Sequence, residues 1–85
     1  MKKADFRKVE IENINGEKEV VDISKILGNG LYARAQTLEV VELARNIWKN
    51  GEVELSDEEV NILKEQVPQI FPGYVVKTAV FNTIK

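Results

Sequence analysis

The centre of the fold is predicted by residues 37–51, which read TLEVVELARNIWKNG. At about 100° per residue, the charged and amide side chains of this stretch fall within one arc of roughly 140°. Apolar side chains fill most of the remaining circle, and an apolar arc of that width is more than one neighbouring element can cover. We therefore predict a helix over residues 37–50 that is packed on two sides and forms the core of the domain.

The composition favours a small globular domain without catalytic chemistry. The 85 residues are 44% hydrophobic and 31% charged, a length that supports one core rather than two. The chain contains neither Cys nor His. It therefore lacks the usual general base near neutral pH and the usual ligands of zinc. We expect a protein that is not an enzyme and that binds no metal or other cofactor.

The distribution of apolar residues predicts no membrane association. No apolar run approaches the roughly 18 residues of a membrane-spanning helix. The first eight residues, MKKADFRK, lack the apolar core of a signal peptide. We expect a cytoplasmic protein.

Residues 6–23, FRKVEIENINGEKEVVDI, predict a β-hairpin with an Asn-Gly turn that ends at Gly16. A slip of one residue in the register would move the side chains of one strand to the opposite face. Pairing Val9 with Val21 places β-branched residues of both strands on one face, whereas a strict two-residue loop sets Val9 opposite Asp22. We therefore favour a three-residue loop with Gly16 in a bulge position.

Residues 24–34, SKILGNGLYAR, predict a short helix whose apolar face includes Ile26 and Leu27. Gly28 and Gly30 each cost a helix interior about 1 kcal/mol. A phosphate-binding loop would explain both glycines, but the third Gly and the Lys of such a loop are missing. Close approach of a neighbouring backbone is the better explanation.

A capping box predicts where the next helix begins. The Ser56 hydroxyl can accept from the Glu59 amide while the Glu59 carboxylate returns to the Ser56 amide. Pro68 disfavours helical geometry at the residue before it, so we predict a helix over residues 57–67. Residues 52–55 are interpreted as an extended connector.

The C-terminal residues 73–84, GYVVKTAVFNTI, permit two interpretations. Their β-branched and aromatic content is typical of a strand, which would join the hairpin as its third. A helix would instead place Val76, Val80 and Ile84 on one face. Because adjacent apolar pairs break the alternation of a strand, we predict a helix.

Five residues form the predicted interaction surface: Tyr32, Arg45, Trp48, Lys49 and Tyr74. Trp48 lies at the edge of the apolar arc, where it is either a core-rim aromatic or an anchor in a protein interface. Arg45 and Lys49 are one helical turn apart and, with Arg34, could contact an anion or a nucleic acid. Three cations are few for that purpose.

The charge of the chain is −2 overall but is unevenly distributed. Residues 52–65 carry six acidic residues and one Lys, while the first eight residues carry four basic residues and one acid. Complementary charge at the two segments predicts self-association or a protein partner. A nucleic-acid partner is the alternative, and no pattern indicates a small-molecule ligand.

One resemblance to known proteins rests on a Leu-rich helix, a second helix and a GEVELSDEE connector. The positions concerned are Asp22, Ile26, Leu27, Leu31, residues 43–45 and residues 51–59. In this order of elements, about residues 14–84 resemble small uncharacterised proteins encoded in prophages and other bacterial mobile elements. The resemblance implies an accessory role and brings no activity or site residue with it.

Together the patterns predict one α+β domain over residues 1–85, with an N-terminal β-hairpin packed on a small bundle of three to four short helices. The predicted function is a small non-catalytic protein-interaction or accessory module. A regulatory or accessory protein that contacts nucleic acid is the alternative.

Overall fold

The computed structural model describes residues 1–84, which form an α+β fold of four helices and two small antiparallel sheets. The strands are β1 (Lys2–Asp5), β2 (Val9–Glu12), β3 (Lys18–Val21) and β4 (Glu52–Leu55). The helices are α1 (Ser24–Arg34), α2 (Leu38–Asn50), α3 (Asp57–Ile70) and α4 (Tyr74–Thr83). Lys85, the last residue of the predicted domain, lies outside the described residues. The predicted fold class is confirmed.

Strands β2 and β3 form the predicted hairpin in the predicted register, with Val9 opposite Val21. The Asn13 amide donates to the Glu17 carbonyl at 2.7 Å, which closes a three-residue loop. Gly16 ends this loop with a φ of +85°, a left-handed conformation that costs glycine little. The bulged hairpin is therefore confirmed, and a two-residue loop is excluded.

Residues 52–55 are extended, as predicted, but they form a paired strand rather than an isolated connector. Val53 and Leu55 alternate with exposed glutamates and are buried, and β4 pairs antiparallel with β1. The Phe6 amide continues this ladder by donating to the Gly51 carbonyl at 2.9 Å. The Phe6 carbonyl accepts from the Ile23 amide at 2.9 Å, which links the two sheets.

Helix α2 has the predicted ends. The Thr37 hydroxyl accepts from the Val40 amide, and Gly51 terminates the helix with a φ of +75°. Helix α2 packs mainly on α1 and β4. The hairpin packs on α4, and Leu38 at the start of α2 is exposed.

Helix α1 turns a different face to the core than predicted. Leu27 and Leu31 are fully buried together with Ser24 and Gly28, whereas Ile26 is 57% exposed. The reason is the close approach of α2 at Gly28, which rotates the contact surface away from Ile26.

Helix α3 continues through Pro68 to Ile70, so the predicted end at residue 67 was wrong. The Phe71 amide donates to the Val67 carbonyl at 2.7 Å and closes the last turn. Proline removes one helical hydrogen bond and disfavours the helical conformation of its predecessor. Contacts with α1 compensate here, because Arg34 donates to the side-chain carbonyls of Gln66 and Gln69.

Residues 74–83 form a helix, as predicted, and this helix supplies Ala79 and Val80 to the core. The strands and helices share one hydrophobic core. Its fully buried side chains include Phe6, Val9, Leu27, Ile47, Leu55, Leu63 and Val80. No helix within residues 1–84 is long and apolar enough to cross a membrane.

Candidate functional site: the α1–α2 groove

An open groove of about 480 Å³ lies between helices α1 and α2. We call it the α1–α2 groove, and it is lined by Gly28, Asn29, Tyr32, Ala44, Arg45, Trp48 and Lys49. Four of the five residues that the sequence singled out are therefore brought together. The lining is mainly apolar, and polar atoms lie at its rim.

Small residues form the floor of the groove. A Cβ atom on Gly28 would lie 2.7 Å from the Trp48 Cβ and 3.0 Å from the Ala44 carbonyl oxygen. The two helix backbones can therefore approach only because residue 28 has no side chain. The close-packing explanation of Gly28 is confirmed, and residues 28–30 lie inside α1 rather than in a loop.

Two half-exposed aromatic side chains flank this floor. Trp48 is 45% exposed and Tyr32 is 53% exposed. The Lys25 ammonium lies 3.7 Å from the centroid of the Trp48 ring and donates to the Trp48 carbonyl at 2.7 Å. The Arg45 guanidinium carbon lies 5.8 Å from the centroid of the Tyr32 ring. Both cations lie within the distance at which a cation attracts an aromatic face.

The rim of the groove is positive although the whole chain is negative. Lys25, Arg45 and Lys49 lie at or beside the groove, and none of its lining residues is acidic. The ion pairs within residues 1–84 are Lys3–Glu54, Arg7–Asp5 and Lys18–Glu10. None of them uses Lys25, Arg45 or Lys49. Lys25 is engaged with the Trp48 ring and carbonyl, so Arg45 and Lys49 are the lining cations that an anionic ligand can reach.

Tyr74 and Arg34 lie elsewhere. Tyr74 begins α4, is 75% exposed and lines a shallow depression with Glu10 and Glu12 of the hairpin. Arg34 holds the last turn of α3 through its hydrogen bonds to two glutamines. The structure therefore separates both residues from the groove.

The acidic segment 52–65 and the basic N-terminus meet within one chain. Strand pairing places Lys3 beside Glu54, with 3.7 Å between the ammonium nitrogen and the carboxylate oxygen. Glu59 is part of the capping box, since its carboxylate accepts a hydrogen bond from the Ser56 amide at 3.0 Å. These contacts give the two segments a role within the fold itself.

Two carboxylates have altered acidity, and both stabilise turns. Hydrogen bonds from the Arg7 side chain lower the pKa of Asp5 below its ordinary value. The Ser24 hydroxyl and amide donate to Asp22 at 2.6 and 2.9 Å and lower the pKa of that carboxyl. Neither residue lines the groove. No three acidic side chains of residues 1–84 cluster closely enough to hold a metal ion.

Three further residues were not predicted from the sequence: Asn29 in the groove, Lys25 beside it over Trp48, and Ile14 in the hairpin. Ile14 is fully exposed at the tip of the hairpin, between Asn13 and Asn15. Ile14 could have been identified from the sequence, because turns favour Gly, Asn, Asp and Ser, and a β-branched apolar residue is unusual between two asparagines. Lys25 gave no such signal, since its position over Trp48 depends on the packing of α1 against α2.

The chain was compared with protein-family models, curated proteins and solved structures, and no match was found in any of the three.

Proposed function

We propose that this chain is a small non-catalytic interaction module that binds a segment of a protein in the α1–α2 groove. The observation that carries the proposal is the pair of half-exposed aromatic side chains, Tyr32 and Trp48, on one apolar groove. Aromatic residues and Arg dominate the energetics of protein interfaces, because they bury a large area with few rotatable bonds.

The rigidity of the groove supports this function. Its floor is fixed by the backbone approach at Gly28, and Ala44, which lies in that floor, is buried. A surface that is already in its binding shape loses little conformational entropy on association. The groove is therefore suited to receiving a flexible or protruding segment.

Charge defines the kind of segment that fits. Arg45 and Lys49 line the groove and are in none of the ion pairs of residues 1–84, and Lys25 lies beside it over the Trp48 ring. A segment with one apolar side chain flanked by carboxylates would satisfy both features of the groove. Exposed charge of this kind adds specificity and association rate more than affinity.

A nucleic acid is the second candidate, and the same residues support it. Bases can stack on exposed aromatic rings while cations contact the phosphates. Within residues 1–84, three cations lie at or beside the groove, so few counterions would be released on binding. The apolar floor, which phosphates do not use, favours the protein segment.

The biological setting is also part of the proposal. The resemblance of the chain to prophage-encoded proteins supports an accessory role in a phage or mobile element. The cytoplasm is the compartment that we propose for it, since the chain carries no Cys.

Photo-crosslinking from the groove tests the proposed function. A photoreactive amino acid replaces Asn29, which is exposed at the groove, and in a control chain it replaces Asn61, which is exposed on α3. We expect protein adducts from position 29 whose crosslinked segment, identified by mass spectrometry, is acidic and holds an apolar side chain. Arg45→Glu should reduce these adducts.

Equal labelling from both positions would contradict the proposal, because it would show that the groove is not preferred. Adducts with nucleic acid alone from position 29 would replace it with the second candidate.

A further inference from the structure

We infer that the α1–α2 groove receives the hairpin tip of a second copy of this chain. The hairpin tip is defined here as residues 12–19, ENINGEKE, with Ile14 at its apex. The inference rests on the proposed function, since it names the occupant of the same groove.

Ile14 has no role in the fold of its own chain. It is fully exposed in a turn in which the Gly16 amide donates to the Asn13 carbonyl at 2.9 Å. The Asn15 side chain stabilises the same turn by accepting from the Glu17 amide at 3.0 Å. The turn is therefore held by its neighbours, and the Ile14 side chain adds only exposed apolar surface.

The surroundings of Ile14 complement the rim of the groove. The tip carries the carboxylates of Glu12, Glu17 and Glu19, and none of these is in an ion pair within residues 1–84. Lys18, the one basic residue of the tip, pairs with Glu10 at 3.1 Å. It therefore does not pair with the carboxylates of Glu12, Glu17 and Glu19. An apolar side chain flanked by free carboxylates is the chemistry that the groove selects.

The acidic segment 52–65 does not fit as well, although it carries more charge. Its outward residues on α3 are polar, and they are Asp57, Glu58, Asn61, Lys64 and Glu65. A surface without an exposed apolar side chain would leave the groove between Tyr32 and Trp48 empty. Among the strongly acidic surfaces of the described chain, the hairpin tip alone offers a fully exposed aliphatic residue.

The contact has a consequence for assembly. Each copy carries one groove and one tip. In a two-fold symmetric dimer, the tip of each copy would lie in the groove of the other. If only one such contact forms, one groove and one tip remain free. Self-association should weaken with added salt, because the charges concerned are exposed.

Sedimentation velocity of the purified full chain tests the inference, over about 1 µM to about 1 mM, a range that covers a contact of this small size. We expect reversible self-association at low salt. Ile14→Asp should weaken it by about tenfold or more, as loss of one buried aliphatic side chain implies. Leu38→Asp is the control, because Leu38 is also an exposed aliphatic residue but lies outside the groove, and it should leave the association unchanged.

Two charge-reversed chains provide a specific rescue. One carries Glu12→Lys with Glu17→Lys at the tip, and the other carries Arg45→Glu with Lys49→Glu at the groove. Each chain alone should remain monomeric, because tip and groove then bear like charge. An equimolar mixture should associate again, since each tip then meets a groove of opposite charge, and this recovery also shows that both variants are folded.

A wild-type chain that stays monomeric throughout, or an association that Ile14→Asp and the reversals leave unchanged, would overturn the inference. Failure of the mixture to recover would do the same. If the wild type is monomeric while Asn29 crosslinks an acidic segment of another protein, the inference fails and the proposed function stands. If position 29 also gives no selective adduct, both fail.

Discussion

Gly28 of α1 and Trp48 of α2 approach so closely that a Cβ atom on Gly28 would lie 2.7 Å from the Cβ of Trp48. The contact fixes the distance between the two helices and, with it, the floor of the α1–α2 groove. The same tryptophan presents its half-exposed ring to the groove, so one residue belongs to both the packing and the candidate site.

We expect Gly28→Ala to destabilise the fold by about 1–3 kcal/mol, since the new methyl group meets the backbone of α2 and overpacks the interface. Gly30→Ala is the matched control two residues away. The atoms nearest its methyl group belong to the Ile70 side chain, 2.8 to 2.9 Å away, rather than to a backbone. Because Ala also favours the helix, we expect a smaller loss than for Gly28→Ala. Urea unfolding followed by circular dichroism measures both, and equal losses would refute the close-packing explanation.

The capping box gives a second prediction. Ser56→Ala removes the acceptor of the Glu59 amide, which lies 3.2 Å from the hydroxyl, and should cost about 1 kcal/mol of unfolding free energy. Glu59→Gln should cost less, because glutamine can also return to the Ser56 amide. The two variants are compared by denaturant midpoint at neutral pH. A Ser56→Ala chain as stable as the wild type would show that water replaces the cap.

The ionisation of Asp5 should make the stability of the fold depend on pH in the acid range. Hydrogen bonds from Arg7 hold the pKa of the folded Asp5 carboxyl below its ordinary value of 3.8. Its contribution to stability is therefore present above that value and is lost as the pH falls through the folded pKa. Asp5→Asn should flatten the acid limb of the unfolding free energy between about pH 2 and pH 5.

Arg7→Gln is the companion variant, because it removes the side-chain hydrogen bonds from Arg7 and leaves both the carboxyl and the bond from the backbone amide of residue 7 in place. It should flatten the same limb. An acid limb as steep as that of the wild type in both variants would mean that other carboxyls dominate it, and Asp22, whose pKa is also lowered, would be the next to test.

Lys25 and Trp48 should be energetically coupled. The ammonium lies over the indole ring and also donates to the Trp48 carbonyl, so Lys25→Met alone removes both contacts. A double-mutant cycle with Trp48→Leu isolates the ring contribution, which we expect to be about 0.5–1 kcal/mol. Strictly additive losses of unfolding free energy would mean that the ring and the cation do not interact in solution.

The parts of the fold that sequence could predict are those with local causes. The capping box, the end of α2 at Gly51 and the hairpin register each follow from a few adjacent residues. The close packing at Gly28 was also predictable, because two glycines are costly in a helix interior.

The missed parts depend on partners that are distant in the sequence. The EVEL pattern of β4 alternates as a strand should, but its partner β1 reads KKAD and gives no matching signal. The last turn of α3 survives Pro68 only because Arg34 and Ile70 connect it to α1. The exposure of Ile26 and the coverage of α2 follow from the same helix packing, which no local pattern specifies.

The same division holds for the candidate site. Residue type singled out Trp48, Arg45, Lys49 and Tyr32, three of them on one helix at or near turn spacing. Their meeting with Lys25 and Asn29 required the α1–α2 contact. Tyr74 shared the residue type but not the location, because its helix packs on the hairpin.

The inference that the groove receives the hairpin tip of a second copy is tested most directly by intermolecular paramagnetic relaxation. Asn13→Cys supplies a single thiol at the hairpin tip, since the chain has no native Cys, and a nitroxide is attached there. The labelled chain is mixed with ¹⁵N-labelled chain that carries no nitroxide, and a nitroxide at Asn61→Cys serves as the control. We predict that the tip label broadens the amide signals of Asn29, Tyr32 and Arg45 and the indole signal of Trp48, and that the control label does not. Broadening that is absent, or that falls on α3 or α4 instead, would contradict the account.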